Sequence, residues 1–233
     1  HNACDQIRGE ACSLQFFSNG QYRNPMVMRI ASLGYQRGFG GHFHNDNSIT
    51  ALRDIPGLLV GCPSRGDDAA TMLRTMMALA KVDGRVCAYL EPIALYMTKD
   101  LYEAGDGQWL TAYPPVEQSM VVGEERTYFP EARDLVIFSF GNGVPMSLRA
   151  ARDIEKQHGW KVRVVDLRWL QPLNADAIAR HAGECERILV VDEGRRSAGV
   201  GEGIITAVVE AGLGAKPLRR VVGEDTYTPL AGA

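Results

Sequence analysis

The sequence predicts a two-domain α/β protein. Three observations point there. Short apolar runs rich in Val, Ile and Leu recur along the chain, stretches of helical periodicity alternate with them, and a region with Gly and Pro between 97 and 130 separates two such sets. With 233 residues, 45% hydrophobic and 23% charged, the chain has apolar material for real cores and lies outside the range of a disordered or fibrous protein.

Taken in order, Ala3, Ile7, Ala11, Leu14 and Phe17 recur at spacings of three and four, which predicts an amphipathic helix over 1–17 stopped by Asn19-Gly20. Residues 25–30 (PMVMRI) are short and β-rich, and a glycine-studded loop follows, Gly34, Gly38, Gly40 and Gly41, running into His42-Phe43-His44-Asn45-Asp46-Asn47. A buried strand is expected at 58–62, a helix with an acidic first turn at 67–80, and another strand at 85–90. Gly105, Gly107, Pro114, Pro115 and Pro130 mark the separating region as a connector carrying one hairpin-like segment. Beyond it, 135–140, 162–165 and 188–191 read as strands buried on both faces, alternating with helices near 146–157, 174–182 and 200–211. That order predicts a parallel sheet.

Lys plus Arg number 25 against 28 Asp plus Glu, a formal charge of -3, so there is no electrostatic footprint for nucleic acid or an acidic membrane surface. Cys4, Cys12, Cys62, Cys87 and Cys185 are odd in number and contain no C-x-x-C pair, which favours neither a disulfide framework nor a zinc cage; a reducing cytoplasm is expected. No apolar run approaches the roughly 20 residues of a membrane span, and no basic-then-apolar export pattern is present. The chain starts in mid-helix without an initiating Met, and a further segment is expected upstream.

Four features invite a chemical reading. Gly141-Asn142-Gly143, with Asp166 ending the next strand, imitates a dinucleotide-binding turn, but Met146 replaces the third glycine, so a tight structural turn is favoured. Gly199, Gly201 and Gly203 open a helix and offer N–H groups to an anion, with close chain packing the plainer reading. His42-x-His44 starts no complete metal site, since no nearby Cys, Glu or third His joins it; its imidazoles suit acid–base work, or stand simply on the surface. Cys62 and Cys87 sit in apolar strand patterns and read as core residues rather than nucleophiles.

Read consecutively, Asp5-Gln6-Ile7, Asn24-Pro25-Met26-Val27-Met28-Arg29, His44, Ile55-Pro56-Gly57-Leu58, Cys62-Pro63-Ser64 and Leu90-Glu91-Pro92 with Leu95-Tyr96 resemble the β-type half of thiamine diphosphate-dependent 2-oxo acid dehydrogenases, the E1 components. The resemblance continues through Val165-Asp166-Leu167-Arg168 with Pro172-Leu173, Asp192-Glu193-Gly194 and Gly223-Glu224-Asp225. It implies two three-layer parallel-sheet domains. An incomplete pyrimidine-binding domain would occupy 1–97, a connector 98–130, and a transketolase C-terminal-like domain 131–233.

The resemblance further implies oxidative decarboxylation of a 2-oxo acid and acyl transfer to a lipoyl partner, with His44 as the catalytic residue, a proton donor during that transfer. Thiamine diphosphate and Mg2+ are implied as cofactors, held mostly by segments outside this chain, because the family's cofactor-activating glutamate belongs upstream of Asp5 and its diphosphate domain to the α half. The piece alone is expected to be inactive. Implied partners are an E1 α-type half or fused N-terminal domains, a second β copy in a homodimer contact, and the lipoyl acyltransferase E2. Asp83 is the nearest match to a monovalent-cation ligand of some relatives, yet Arg85 stands where their asparagine would, and Asp83-Gly84 reads as a turn. The rival readings are a transketolase-like two-carbon transferase and a noncatalytic dimerisation and docking module.

Overall fold

The structure, a computed structural model, describes residues 3–34 and 46–227. Its strands form two sheets, one of four strands in the order β1-β3-β2-β7 and one of five in the order β4-β6-β5-β8-β9. The first contains β1 (Met26–Ser32), β2 (Leu59–Gly61), β3 (Val86–Pro92) and β7 (Trp169–Gln171); the second contains β4 (Arg126–Tyr128), β5 (Leu135–Ser139), β6 (Val162–Asp166), β8 (Arg187–Arg195) and β9 (Leu218–Gly223). The α/β expectation holds, with two departures from all-parallel pairing: β7 runs antiparallel to β2, and β4 antiparallel to β6.

Both departures have local causes. After β6 the chain turns at Arg168, a non-glycine residue at φ 58, and the next three residues extend along the free side of β2, where Cys62 N–H donates to the Arg168 carbonyl at 2.7 Å. A strand written late in the sequence therefore completes the first sheet. In the connector, the expected hairpin is replaced by β4, which pairs with β6 rather than with a neighbour in sequence.

The helices follow the predicted pattern. α1 (Cys4–Gln6) runs through a π-helical stretch, Ile7–Cys12, into α2 (Ser13–Phe17); α3 is Ile49–Arg53, α4 Gly66–Asp83, α5 Gly143–His158, α6 Ala175–Glu184 and α7 Val200–Glu210. The π stretch is a correction to the first predicted helix. Ile7 and Ala11 pack on the core, but the wider turns rotate the residues that follow, and Phe17 ends 82% exposed. The stop is as read, with Asn19 at φ 51 and Gly20 at φ 76. Gly84, at φ 69, donates to the Ala80 carbonyl at 3.0 Å and closes α4, so Asp83-Gly84 forms a helix end.

Period-two alternation distributes the core. On β3, Val86, Ala88 and Leu90 join one cluster, while Cys87 and Tyr89 join another with Met72 and Met76 of α4. On β5, Val136 and Phe138 enter the first cluster and Leu135 and Ile137 a third, with Val144 and Leu148 of α5. The first cluster runs through both sheets and takes in Ile178 of α6 and Ile204 of α7. No helix among the described residues is long and apolar enough to cross a membrane.

Candidate active site at the joint of the two sheets

In open α/β sheets, ligands bind beyond the carboxyl ends of the parallel strands. Beyond β1 lies a cavity of about 370 Å3. Its walls are largely apolar, with Ile7 from the first helix, Met28 and Ile30 from β1, and Leu33 and Leu52; Asp46 and Ser48 supply the polar rim. The sequence puts these residues there because Met28 and Ile30 share one face of β1 while the intervening Arg29 points to the other.

The rim is tied to the second sheet. Asn47 Oδ1 accepts from the Gly34 N–H, and its Nδ2 donates to the Glu193 carbonyl at 2.8 Å and to Glu193 Oε1 at 3.1 Å. Asp46 pairs with Arg195 and accepts from the Ser48 hydroxyl. Burial alone would raise the Asp46 carboxyl, but the Ser48 hydroxyl and the Arg195 guanidinium override it and hold the group below the usual carboxylate range. The Thr50 hydroxyl donates to the Ala198 carbonyl. The turn after β8 thus grips the chain on both sides of 35–45.

His44 lies outside the described residues, as does His42. The structure places what flanks them, Gly34 on one side and Asp46-Asn47 on the other.

On the α4 face of the first sheet, Arg29 grips Glu91 through Nε and, at 3.0 Å, through Nη2, and the Tyr96 hydroxyl donates to Glu91 Oε2. The Arg29 hydrogen bond holds the Glu91 carboxyl down, while burial and Glu91 itself push Tyr96 up to about 12. Arg29, Glu91 and Tyr96 stood in the sequence only as marks of resemblance. Deeper between the sheets, Asp68 Oδ1 accepts from Arg168 at 2.7 Å and Arg126 at 2.8 Å, and Arg126 also reaches Asp67 at 3.0 Å. Asp166 lies fully buried beside them; desolvation, then the charge of Asp68, push its carboxyl up to about 7.

The glycine turns are structural. A Cβ at Gly143 would lie 2.1 Å from Ser139 Oγ, and Gly141, at φ 52, packs against Leu33 and Cys62. Asp166, the would-be ribose partner, faces Asp68 and Arg168 instead. At Gly199 and Gly201 the helix N-terminus is taken by Asp192, whose Oδ2 accepts from Gly201 N–H at 2.7 Å. Cys62 and Cys87 are buried core residues, and burial raises both thiols. Sequence reasoning missed His181, buried on α6 between Arg163, at 2.9 Å, and Glu125, at 3.2 Å; burial lowers its pKa. An isolated histidine in a helical pattern carries no sequence signal for such a network.

Comparison with known proteins adds to this geometry. Residues 128–233 match the family model of the transketolase C-terminal domain. Over 236 residues the chain is 30% identical to the pyruvate dehydrogenase E1 component subunit beta of Staphylococcus epidermidis, covering 98% of this chain and 66% of the relative. The 3-methyl-2-oxobutanoate dehydrogenase subunit beta of Mycobacterium tuberculosis is 30% identical over 232 residues, with 98% of this chain and 61% of the relative covered. The chain therefore spans under two thirds to about two thirds of these relatives' lengths, 61% and 66%. Among solved structures, a split-gene transketolase described as an inactive beta4 tetramer superposes with a TM-score of 0.68 at 16% identity, covering 98% of this chain and 64% of that one. That likeness concerns the fold.

Proposed function

We propose a function for this chain from the family to which it belongs, the E1 beta subunits of 2-oxo acid dehydrogenases. In this reading it supplies the β part of a thiamine diphosphate-dependent site that decarboxylates a 2-oxo acid and passes the acyl group to the lipoyl arm of an acyltransferase. An E1 α-type half, as a separate chain or fused N-terminal domains, completes the site, and a second β copy pairs with this one. Residues 1–97 serve as the partial pyrimidine-binding domain, 98–130 as the connector and 131–233 as the C-terminal domain, in a cytoplasmic complex.

The carrying observation is the pinning of both flanks of position 44 at the mouth of an apolar cavity. The apolar walls suit an uncharged ring. The diphosphate and Mg2+ find no matching ligands, for among the described residues no group of three or more His, Cys, Asp or Glu could hold a metal ion; we assign them to the α-type half. When bound, thiamine diphosphate supplies the electron sink for decarboxylation. This chain's part is to wall off the cavity from water and, through His44, to hold a proton for the lipoyl sulfur during acyl transfer. An imidazole suits that step because its pKa lies near the working pH.

The test is carbon dioxide release from pyruvate and branched-chain 2-oxo acids by the full-length protein with thiamine diphosphate and Mg2+. Turnover is expected. His44→Ala should keep the fold and cofactor binding while lowering lipoyl acylation by about 100-fold, within the range for loss of a general acid. Absence of turnover with every 2-oxo acid would overturn the reading, and unchanged acylation would remove His44 from it.

A further inference from the structure

We infer that the 192–198 turn of the second sheet is a working part of this site, with Asn47 and Glu193 as positioning residues for the segment that carries His44. The inference rests on the reading that His44 delivers a proton. Asn47 is the side chain through which the two flanks of 35–45 meet. Its amide oxygen takes the Gly34 N–H, and its amide nitrogen reaches Glu193 twice, at the carbonyl, 2.8 Å, and at Oε1, 3.1 Å. A primary amide is a neutral group able to accept on one side and donate two hydrogens on the other.

The neighbouring contacts converge on the same turn. Asp46 pairs with Arg195, whose Nε also donates to the Thr226 carbonyl at 3.2 Å, and the Thr50 hydroxyl reaches Ala198. The turn itself is held from within. Buried Asp192 accepts from Gly194 N–H at 2.8 Å and from Gly201 N–H at 2.7 Å, and a Cβ at Gly194 or Gly199 would come within 2.9 and 2.8 Å of its carboxylate. Such a turn is a fixed post rather than a pliable loop. A misplacement of about 1 Å in a reacting group costs on the order of 100-fold in rate, so a post that fixes the flanks of a proton donor sets kcat without touching substrate.

Asn47→Asp in the full-length protein tests this. The aspartate still accepts from Gly34 but presents a carboxylate to Glu193 where Asn47 presented donors. Adding Glu193→Gln to the same chain reverses the polarity, since the side-chain amide it introduces can donate to the new carboxylate. We expect Asn47→Asp to lower kcat for lipoyl acylation by about 10-fold to 100-fold with KM for the 2-oxo acid unchanged. The double variant should recover to within about threefold of the unsubstituted protein. Amide hydrogen exchange over 30–34 and 192–199 should accelerate in the single variant and return in the double. Unchanged kcat in Asn47→Asp, no recovery in the double, or unaltered exchange would each overturn the inference. Turnover by the unsubstituted protein, matched by Asn47→Asp, separates this failure from that of the functional reading, which would show as no turnover at all.

Discussion

Asp166 ends β6 with no exposed surface, and desolvation together with the charge of Asp68 push its carboxyl up to about 7. In an unfolded chain an aspartate titrates near pH 3.9. Between those values the folded protein keeps a proton that the unfolded chain has lost. The stability this group contributes is therefore full below about pH 4 and is lost as pH rises through 7. The groups facing it, Arg168 and Ser64 as well as Asp68, moderate the shift without cancelling it. Asp166→Asn fixes the neutral form and keeps an acceptor for the Arg168 N–H, now bonded at 3.1 Å. The difference in Tm between variant and unsubstituted protein should move in the variant's favour from pH 5 to pH 8. Thermal unfolding across that range checks it, and a pH-independent difference would show that Asp166 is ionised throughout.

At the scale of elements, the two sheets are joined by charge as well as by apolar packing. Arg168, whose side chain is 9% exposed, reaches Asp68 on α4, whose side chain is 3% exposed. Removing one partner from a buried pair strands the other's charge and typically costs about 3–5 kcal/mol, whereas removing both costs much less. Arg168→Met should lower unfolding stability in urea by about that amount, and adding Asp68→Asn should recover a good part of it, because Arg126 keeps Asp67 as its partner. A double variant as unstable as the single would mean that Arg168 acts through its stem packing alone. The sequence announced Asp67-Asp68 as an acidic first turn and Arg168 as a motif residue, but nothing local tells that residues 100 apart in the chain meet.

That limit recurs for every element of three residues. The strands at 135–139 and 162–166 and the helices α4 to α7 were legible because burial on both faces, or one apolar stripe, writes a period into the sequence. β4 and β7 carry too few residues for any period, and their existence depends on partners, Val164 and Val165 for β4 and Val60 for β7. The site divides the same way. The family marks were readable as consecutive motifs, while the Asn47–Glu193 tie spans 146 residues of sequence and belongs to the fold alone.

For the whole molecule, the consequence concerns cooperativity. If the two sheets were independent domains joined by a connector, each would have its own core and its own melting temperature. Here β7 leaves the second set of strands to complete the first sheet, and one core cluster holds Val60 and Leu90 together with Phe138 and Val190. The contacts across the joint include the buried Asp68–Arg168 pair and the grip of the 192–198 turn on Asn47. Unfolding one sheet would expose the shared cluster and leave buried charges without partners, so neither half is stable at a temperature where the other has melted. Scanning calorimetry of the chain should therefore give one transition with calorimetric and van't Hoff enthalpies in agreement. Arg168→Met should lower that single transition without splitting it. Two resolved peaks would mean that the shared cluster is too weak to couple the sheets, and that the fixed post beside Asn47 can shift relative to the cavity it borders.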